Sequence, residues 1–152
     1  MIEITTDRAR MDVDAIHRFL SEESYWAKGI PRDLVERSIE HSLCFGAFDE
    51  GAQVGFARVI TDFATFAYLA DVFVLASHRG RGVSKRIMEA VTSHPDLRGL
   101  RRWHLVTRDA HALYTQFGFA ALDAPGRHMA RVARDAYGSG TESCVLRAVD
   151  EG

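Results

Sequence analysis

One stretch of the sequence decides the fold, Val72-Phe73-Val74-Leu75-Ala76-Ser77-His78-Arg79-Gly80-Arg81-Gly82-Val83-Ser84-Lys85. Its first residues are apolar, which is typical of a buried strand, and its two glycines permit a tight turn. After the turn the apolar residues recur at helical spacing, with Ile87, Ala90 and Val91 on one face. The stretch therefore predicts a strand that leads directly into a helix.

The turn in this stretch has the features of an anion site. The first backbone N–H groups of a helix are unpaired and carry partial positive charge, and glycine lets an anion approach them closely. Cationic side chains surround the glycines at Arg79, Arg81, Lys85 and Arg86. An ordinary solvated turn is the alternative, but the position between a buried strand and a helix favours a phosphate or pyrophosphate site. The spacing matches neither a P-loop nor a dinucleotide fingerprint, so ATP and NAD are disfavoured.

The remaining chain predicts an α+β fold, organised as one domain over residues 1–152. We expect strands at 1–6, 43–48, 53–60, 68–76, 100–107, 119–122 and 128–133, and helices that begin at Asp12 or Asp14, near Pro31, before Val83 and at Ala110. This order contains one parallel crossover, in which a strand feeds a helix that returns to another strand. Residues 137–152 are predicted to be a tail or, over 143–149, an extra edge strand.

Composition and charge limit the partners and the compartment. The net charge of −2 gives no basic field over the whole protein, so we predict neither a nucleic-acid nor a membrane partner. The start of the chain lacks the features of a signal peptide, and no apolar run approaches the ~20 residues of a membrane span, which predicts a cytoplasmic protein. Cys44 and Cys144 lie among apolar neighbours and are expected to be buried reduced thiols, and no metal site is predicted.

Two motifs on this framework resemble those of the GNAT superfamily, the acyl-CoA-dependent N-acyltransferases. The run from Arg79 to Ser84 is similar to the family signature Gln/Arg-x-x-Gly-x-Gly/Ala, with Ser84 in place of the usual small final residue. The run Ala112-Leu113-Tyr114-Thr115-Gln116-Phe117-Gly118-Phe119 resembles the family's Leu-Tyr-x-x-x-Gly-Phe. The resemblance covers the chain from about Ile2 to Val132. It implies the GNAT fold, a mostly antiparallel sheet with one splayed parallel strand pair, flanked by about four helices.

The resemblance implies that acetyl-CoA lies between the splayed strands. The Val74 amide would polarise the thioester carbonyl, main-chain groups of the same strand would pair with the pantetheine arm, and amides of the glycine loop would hold the pyrophosphate. The pyrophosphate amides would be those of Arg81, Gly82, Ser84 and Lys85, whose side chains would lean toward the adenosine phosphate or solvent. The implied coenzyme-binding residues are Val72, Phe73, Val74, Arg79, Gly80, Arg81, Gly82, Val83, Ser84, Lys85 and Asp109.

Tyr114 matches the family's usual general acid, which protonates the leaving thiolate; packing beside neighbouring phenylalanines is the alternative. Asp109 stands where many relatives carry an asparagine that bonds the pantetheine arm, and it could also cap the helix from Ala110. No general base is assigned. Tyr68 occupies the position of the glutamate of some relatives, and Asp71 is expected on the opposite strand face if the strand is regular. The remaining candidates are His104 and His111, for which a structural or solvated role is expected, and a water chain.

The implied reaction is direct attack of a primary amine, on a small molecule or peptide, on acetyl-CoA. By family analogy the acceptor contacts Tyr25 and Trp26 in the loop between the first two helices, although these rings could simply anchor the loop. Glu22 and Glu23 could attract a cationic amine, and Phe63 and Phe66 could help to line the same cleft. An acetyl-CoA-binding sensor without turnover is the alternative function, since no base is evident. A homodimer is common in the family, but the sequence does not decide it.

Overall fold

The computed structural model describes residues 1–137 and 146–148 of the 152-residue chain. Its strands are β1 (Ile2–Thr5), β2 (Leu43–Asp49), β3 (Ala52–Thr61), β4 (Phe66–Val74), β5 (Arg102–His104), β6 (Arg131–Ala133) and β7 (Leu146–Ala148). Its α-helices are α1 (Val13–Arg18), α2 (Arg32–Glu40), α3 (Val83–Ser93) and α4 (His111–Thr115). A π-helical turn, Phe19–Glu23, continues α1.

The strands β1 to β5 form one sheet in sequence order. The first three neighbouring pairs are antiparallel, and β4 with β5 is parallel. This arrangement confirms the predicted α+β fold with one parallel pair, and α3 is the crossover between the two parallel strands. Asp12 is the N-cap of α1, because its carboxylate accepts a hydrogen bond from Ala15 N at 3.1 Å.

The two faces of the sheet carry separate cores. On one face α3 buries Val83, Ile87, Met88 and Val91 against apolar residues of the central strands. On the other face α1 and α2 cover a second cluster that includes Cys44, Phe56 and Phe73. Gly55 permits the close approach of α3, since a Cβ at that position would lie 3.0 Å from Ile87 Cδ1 and 3.2 Å from the Phe73 carbonyl oxygen.

A β-bulge interrupts β4 in the middle of the sheet. Asp71 and Val72 lie opposite the single residue Ala57 of β3, and Asp71 adopts a φ of 55°. The bulge corrects the expectation from regular alternation, because it turns Asp71 toward the α1–α2 face. There its two carboxylate oxygens accept hydrogen bonds from Trp26 Nε1 and Arg58 Nε, each at 2.8 Å.

The parallel pairing of β4 with β5 is short. It joins Phe66 to Arg102, Ala67 to Trp103 and Tyr68 to His104, and it ends there. The expected strand over 100–107 is therefore reduced to three residues. Beyond His104 the chain leaves the sheet, and a gap opens beside the second half of β4.

The last part of the fold differs from the sequence prediction. Residues 119–122 form no strand, so the predicted hairpin of 119–122 with 128–133 is wrong. Phe119 instead packs edge-on against Trp103 and Tyr114, and Pro125, which lacks a backbone donor, opens a 3₁₀ turn. The strand β6 pairs antiparallel with β7 in a separate two-stranded sheet.

The sequence predictions on membrane spans and on the cysteines can be compared with the described residues. Within the part of the chain that the structure describes, no helix has the length and apolar character to cross a bilayer. Cys44 is a buried free thiol whose pKa is raised to about 11, chiefly by burial. Cys144 lies outside the described residues.

We predict that the bulge depends on the Asp71–Arg58 ion pair, whose side chains are 10% and 16% exposed. Asp71→Ala leaves a mostly buried guanidinium without its carboxylate and should lower the free energy of unfolding by about 3–5 kcal/mol in urea titrations. Asp71→Asn should cost clearly less, because asparagine tolerates the positive φ and can still accept the Trp26 hydrogen bond. A loss of less than about 1 kcal/mol in Asp71→Ala would show that the ion pair does not stabilise the bulge.

Candidate active site

The gap between β4 and the segment after β5 is a cleft of about 540 Å³. Most of the residues predicted as site residues border it together. Those that line the cleft are Tyr25, Trp26, Val72, Phe73, Val74, Arg79, Gly80, Gly82, Val83, Ser84, Asp109 and Tyr114. Arg81 and Lys85 do not line it.

One wall of the cleft is the free edge of β4. Leu75 N donates to Val54 O of β3 at 2.8 Å. Because successive backbone groups of a strand point to opposite edges, the N–H and C=O of Val74 point away from β3, into the gap. An extended chain in the gap could therefore form main-chain hydrogen bonds with β4, as an added strand would.

The glycine loop forms the end of the cleft at the start of α3. Gly80 and Gly82 have φ angles of 72° and 76°, which a side chain rarely permits. A Cβ at either glycine would have no described atom within 4 Å, so the backbone is open. The first turn of α3 receives no side-chain cap from the described residues. Its N–H groups and the open backbone together suit a diphosphate.

The arginine that begins the glycine loop folds back onto the strand. Arg79 Nε donates to Val74 O at 3.0 Å, although the side chain remains exposed. The contact places a guanidinium at the edge of β4 that faces the gap.

The loop is anchored to the β2–β3 hairpin by His78. Its Nε2 donates to Asp49 Oδ2 at 2.9 Å, and its Nδ1 lies 2.8 Å from Ser77 Oγ. The hydrogen bond from His78 is the main cause of a lowered pKa at Asp49. This contact holds the residue directly before the loop at a fixed position, which limits the loop's freedom.

Tyr114 lies on α4, opposite β4, and is 8% exposed. Its pKa is raised to about 12, mainly by burial and in smaller part by the nearby Tyr25 and Asp109. The phenol therefore keeps its proton at neutral pH and can act as a proton donor. It also packs against Phe119, so the packing role and the chemical role coexist.

Asp109 borders the cleft but does not cap α4. The N-cap is Ala110, whose N–H donates to Thr107 Oγ1 at 3.0 Å, and the Asp109 side chain is 70% exposed. The predicted capping role of Asp109 is thus wrong, because threonine two residues earlier supplies the acceptor. Its carboxylate remains available to the cleft.

The loop after the π-helical turn contacts both walls of the cleft. Trp26 is held to β4 by its hydrogen bond to Asp71. Tyr25 Oη accepts a hydrogen bond from Arg108 N at 3.1 Å, and the Arg108 guanidinium lies 3.9 Å from the centre of the Tyr25 ring. The two aromatic residues are therefore both anchors of the loop and walls of the cleft.

The structure also shows which residues the sequence reasoning missed. Phe19 lines the cleft and stacks on Phe73 with ring centres 4.0 Å apart. Phe63 and Phe66, which were expected to line the cleft, do not. Further lining residues without an assigned role in the sequence analysis are His78, Arg108, Ala110 and Leu113. Two of them could have been suspected from the sequence, because His78 directly precedes the signature and Arg108 directly precedes Asp109.

The structure assigns no base among the candidates considered from sequence. Tyr68, Asp71, His104 and His111 do not line the cleft. His104 lies between the rings of Tyr68 and His128, with centres 5.8 Å away on each side. The pKa of Tyr68 is raised, mainly by burial, so the phenol stays protonated at neutral pH and its oxygen is not available as a base.

Comparison with known proteins agrees with this geometry. The family model described as an acetyltransferase (GNAT) domain matches residues 40–121, more than half of the 152-residue chain. The chain belongs to the GNAT acetyltransferase family. The GNAT signature and the Leu-Tyr motif therefore lie on the fold that the resemblance implied.

This GNAT protein is similar to one further sequence and to two solved structures. FG08082 of Gibberella zeae, which carries the name of an acetyltransferase, is 34% identical in an alignment of 134 residues that covers 73% of this chain and 74% of its own. A GNAT-family acetyltransferase from Xanthomonas campestris is 54% identical with a TM-score of 0.89, covering 91% of this chain and 98% of its own. An acetyltransferase from Clostridium acetobutylicum, crystallised with acetyl-CoA, shares the fold at 15% identity and a TM-score of 0.63, covering 81% and 92%.

We predict a pH-dependent contribution from the anchor of the glycine loop. Because the folded protein lowers the pKa of Asp49, its carboxylate stabilises the fold above the ordinary aspartate pKa, and this stabilisation is lost as pH falls through the lowered value. The parent protein should unfold at higher urea than Asp49→Asn at neutral pH, and the difference should shrink in acid. A difference that stays constant between about pH 7 and about pH 3 would contradict this assignment.

Proposed function

We propose that this GNAT acetyltransferase moves the acetyl group of acetyl-CoA onto a primary amine of a small molecule or peptide. The observation that carries the proposal is the convergence of the open glycine loop, the free edge of β4 and Tyr114 on one cleft. A diphosphate-bearing coenzyme with an extended arm and a thioester at its end fits this order of features. The fold-sharing Clostridium protein with acetyl-CoA supports the choice of coenzyme.

The coenzyme supplies an activated acetyl group as a thioester. The first amides of α3 would bind its diphosphate, and the edge of β4 would align its extended arm. The Val74 N–H, which points into the gap, would donate to the thioester oxygen as negative charge develops there. Holding both reactants in one cleft supplies the proximity on which direct transfer depends.

In the proposed reaction the acetyl group passes directly from sulfur to nitrogen, without a covalent enzyme intermediate. The lone pair of a neutral amine forms the new C–N bond, and the C–S bond breaks. Tyr114 can give its proton to the departing sulfur, and the proton lost by the amine nitrogen passes to solvent, from which Tyr114 is restored. The raised pKa of Tyr114 ensures that the phenol is protonated before each turnover.

We expect Tyr114→Phe to lower kcat by about 10²-fold with little change in the KM for acetyl-CoA, because it removes the proton donor and keeps the ring. The measurement is release of free coenzyme thiol with a panel of primary amines. Tyr137→Phe is the matched control, since Tyr137 is 38% exposed and does not line the cleft. An unchanged kcat in Tyr114→Phe would remove the acid role. Binding of acetyl-CoA by calorimetry without turnover on any amine would favour the sensor function instead.

A further inference from the structure

The cleft carries an arginine that the proposed reaction does not use. Arg108 follows β5 and lines the cleft, with its side chain 66% exposed. Among the described residues its one carboxylate neighbour is Asp109, at 3.9 Å, which is too far for a hydrogen bond. The guanidinium therefore keeps free donors toward the cleft.

Arg108 is nevertheless held in place at two points. Its backbone N–H donates to Tyr25 Oη, and its guanidinium stacks on the same ring at 3.9 Å. A guanidinium fixed on an aromatic face loses less conformational entropy when it binds a ligand, and its planar donors match a carboxylate or phosphate. The arrangement is thus a preorganised anion contact.

Arg108 reaches the cleft from a different element than the residues proposed to hold the coenzyme. It lies in the segment after β5 and is bound to Tyr25, whereas the Val74 N–H belongs to β4 and the glycine loop leads into α3. Its guanidinium is therefore available to a molecule that enters the cleft beside the coenzyme.

An acidic side chain borders the same cleft. Glu23 ends the π-helical turn, lies two residues before Tyr25 and is exposed. Within the described part of the chain it forms no salt bridge. A cleft that presents one free carboxylate and one fixed guanidinium is complementary to a molecule with both an ammonium and an anionic group.

Resting on the proposed function, we propose that Arg108 is a specificity-determining residue which selects acceptors that carry an anionic group as well as the primary amine. Glu23 attracts the amine end in its charged form, and Arg108 binds the carboxylate or phosphate at the other end. The amine then loses a proton to solvent before it attacks. Acceptors without the anionic group lack the second contact and are used poorly.

The test compares three acceptors of similar length, propylamine, β-alanine and phosphoethanolamine, at saturating acetyl-CoA. The parent protein should show a kcat/KM at least 10-fold higher for one of the two anionic amines than for propylamine, and the two arms separate carboxylate from phosphate recognition. Arg108→Gln should reduce this ratio by roughly 10-fold, and Arg108→Lys should recover part of it, since lysine keeps the charge without the planar fork. Glu23→Gln should raise KM for all three amines together.

Arg127→Gln is the matched control, because Arg127 is exposed and lies outside the cleft. The inference is overturned if propylamine is used as well as both anionic amines, or if Arg108→Gln raises the KM for acetyl-CoA and leaves the ratio between acceptors unchanged. If no amine is acetylated, the proposed function fails separately. Calorimetric titration of β-alanine and phosphoethanolamine into the CoA-saturated protein then decides the matter, since binding lost in Arg108→Gln supports the inference and absence of binding refutes it.

Discussion

The organisation of this protein depends on the point at which β4 and β5 stop pairing. Parallel strands normally continue side by side, and their backbone groups then satisfy one another. Here the pairing ends at Tyr68 and His104, so the second half of β4 keeps a free polar edge. An unpaired strand edge can pair with an added extended chain through its free backbone groups. The cleft, the direction of the Val74 amide and the position of Tyr114 all follow from that early end.

The β-bulge at Asp71 and the loop of Tyr25 and Trp26 lie beside the point where the two strands separate. Asp71 sits at positive φ in the strand and uses both carboxylate oxygens, one on Arg58 and one on Trp26. Tyr25, which directly precedes Trp26, reaches the opposite wall through Arg108. The separated strands are thus joined again by side chains and not by a backbone ladder. A side-chain bridge leaves space beneath it, and that space is where the acceptor is proposed to bind.

Short motifs could be recognised in the sequence, whereas the bulge and the contacts between residues far apart in the chain could not. The glycine loop is short and carries its own physical signal, and the resemblance to the GNAT family implied that the Leu-Tyr motif lies near the same coenzyme site. The turn of Asp71 toward the α1–α2 face could not be expected, because strict alternation assumes a regular strand and aspartate gives no sign of a bulge. Arg108 was missed for another reason, since its partner Tyr25 lies 83 positions away. Residues 119–122 form a short apolar run that resembles a strand, but Phe119 packs against Trp103 and Tyr114 instead.

The most direct test of the proposed coenzyme site is a crystal structure of the protein with acetyl-CoA at saturating concentration. We predict diphosphate oxygens within about 3 Å of the backbone amides of the glycine loop and the first turn of α3. The pantetheine arm should lie beside Val74, with the sulfur close to Tyr114 Oη. Such a structure would show the coenzyme arm on the β4 edge that β5 leaves free. A coenzyme bound elsewhere, or a glycine loop closed by its own side chains while the coenzyme is present, would contradict the proposed coenzyme site.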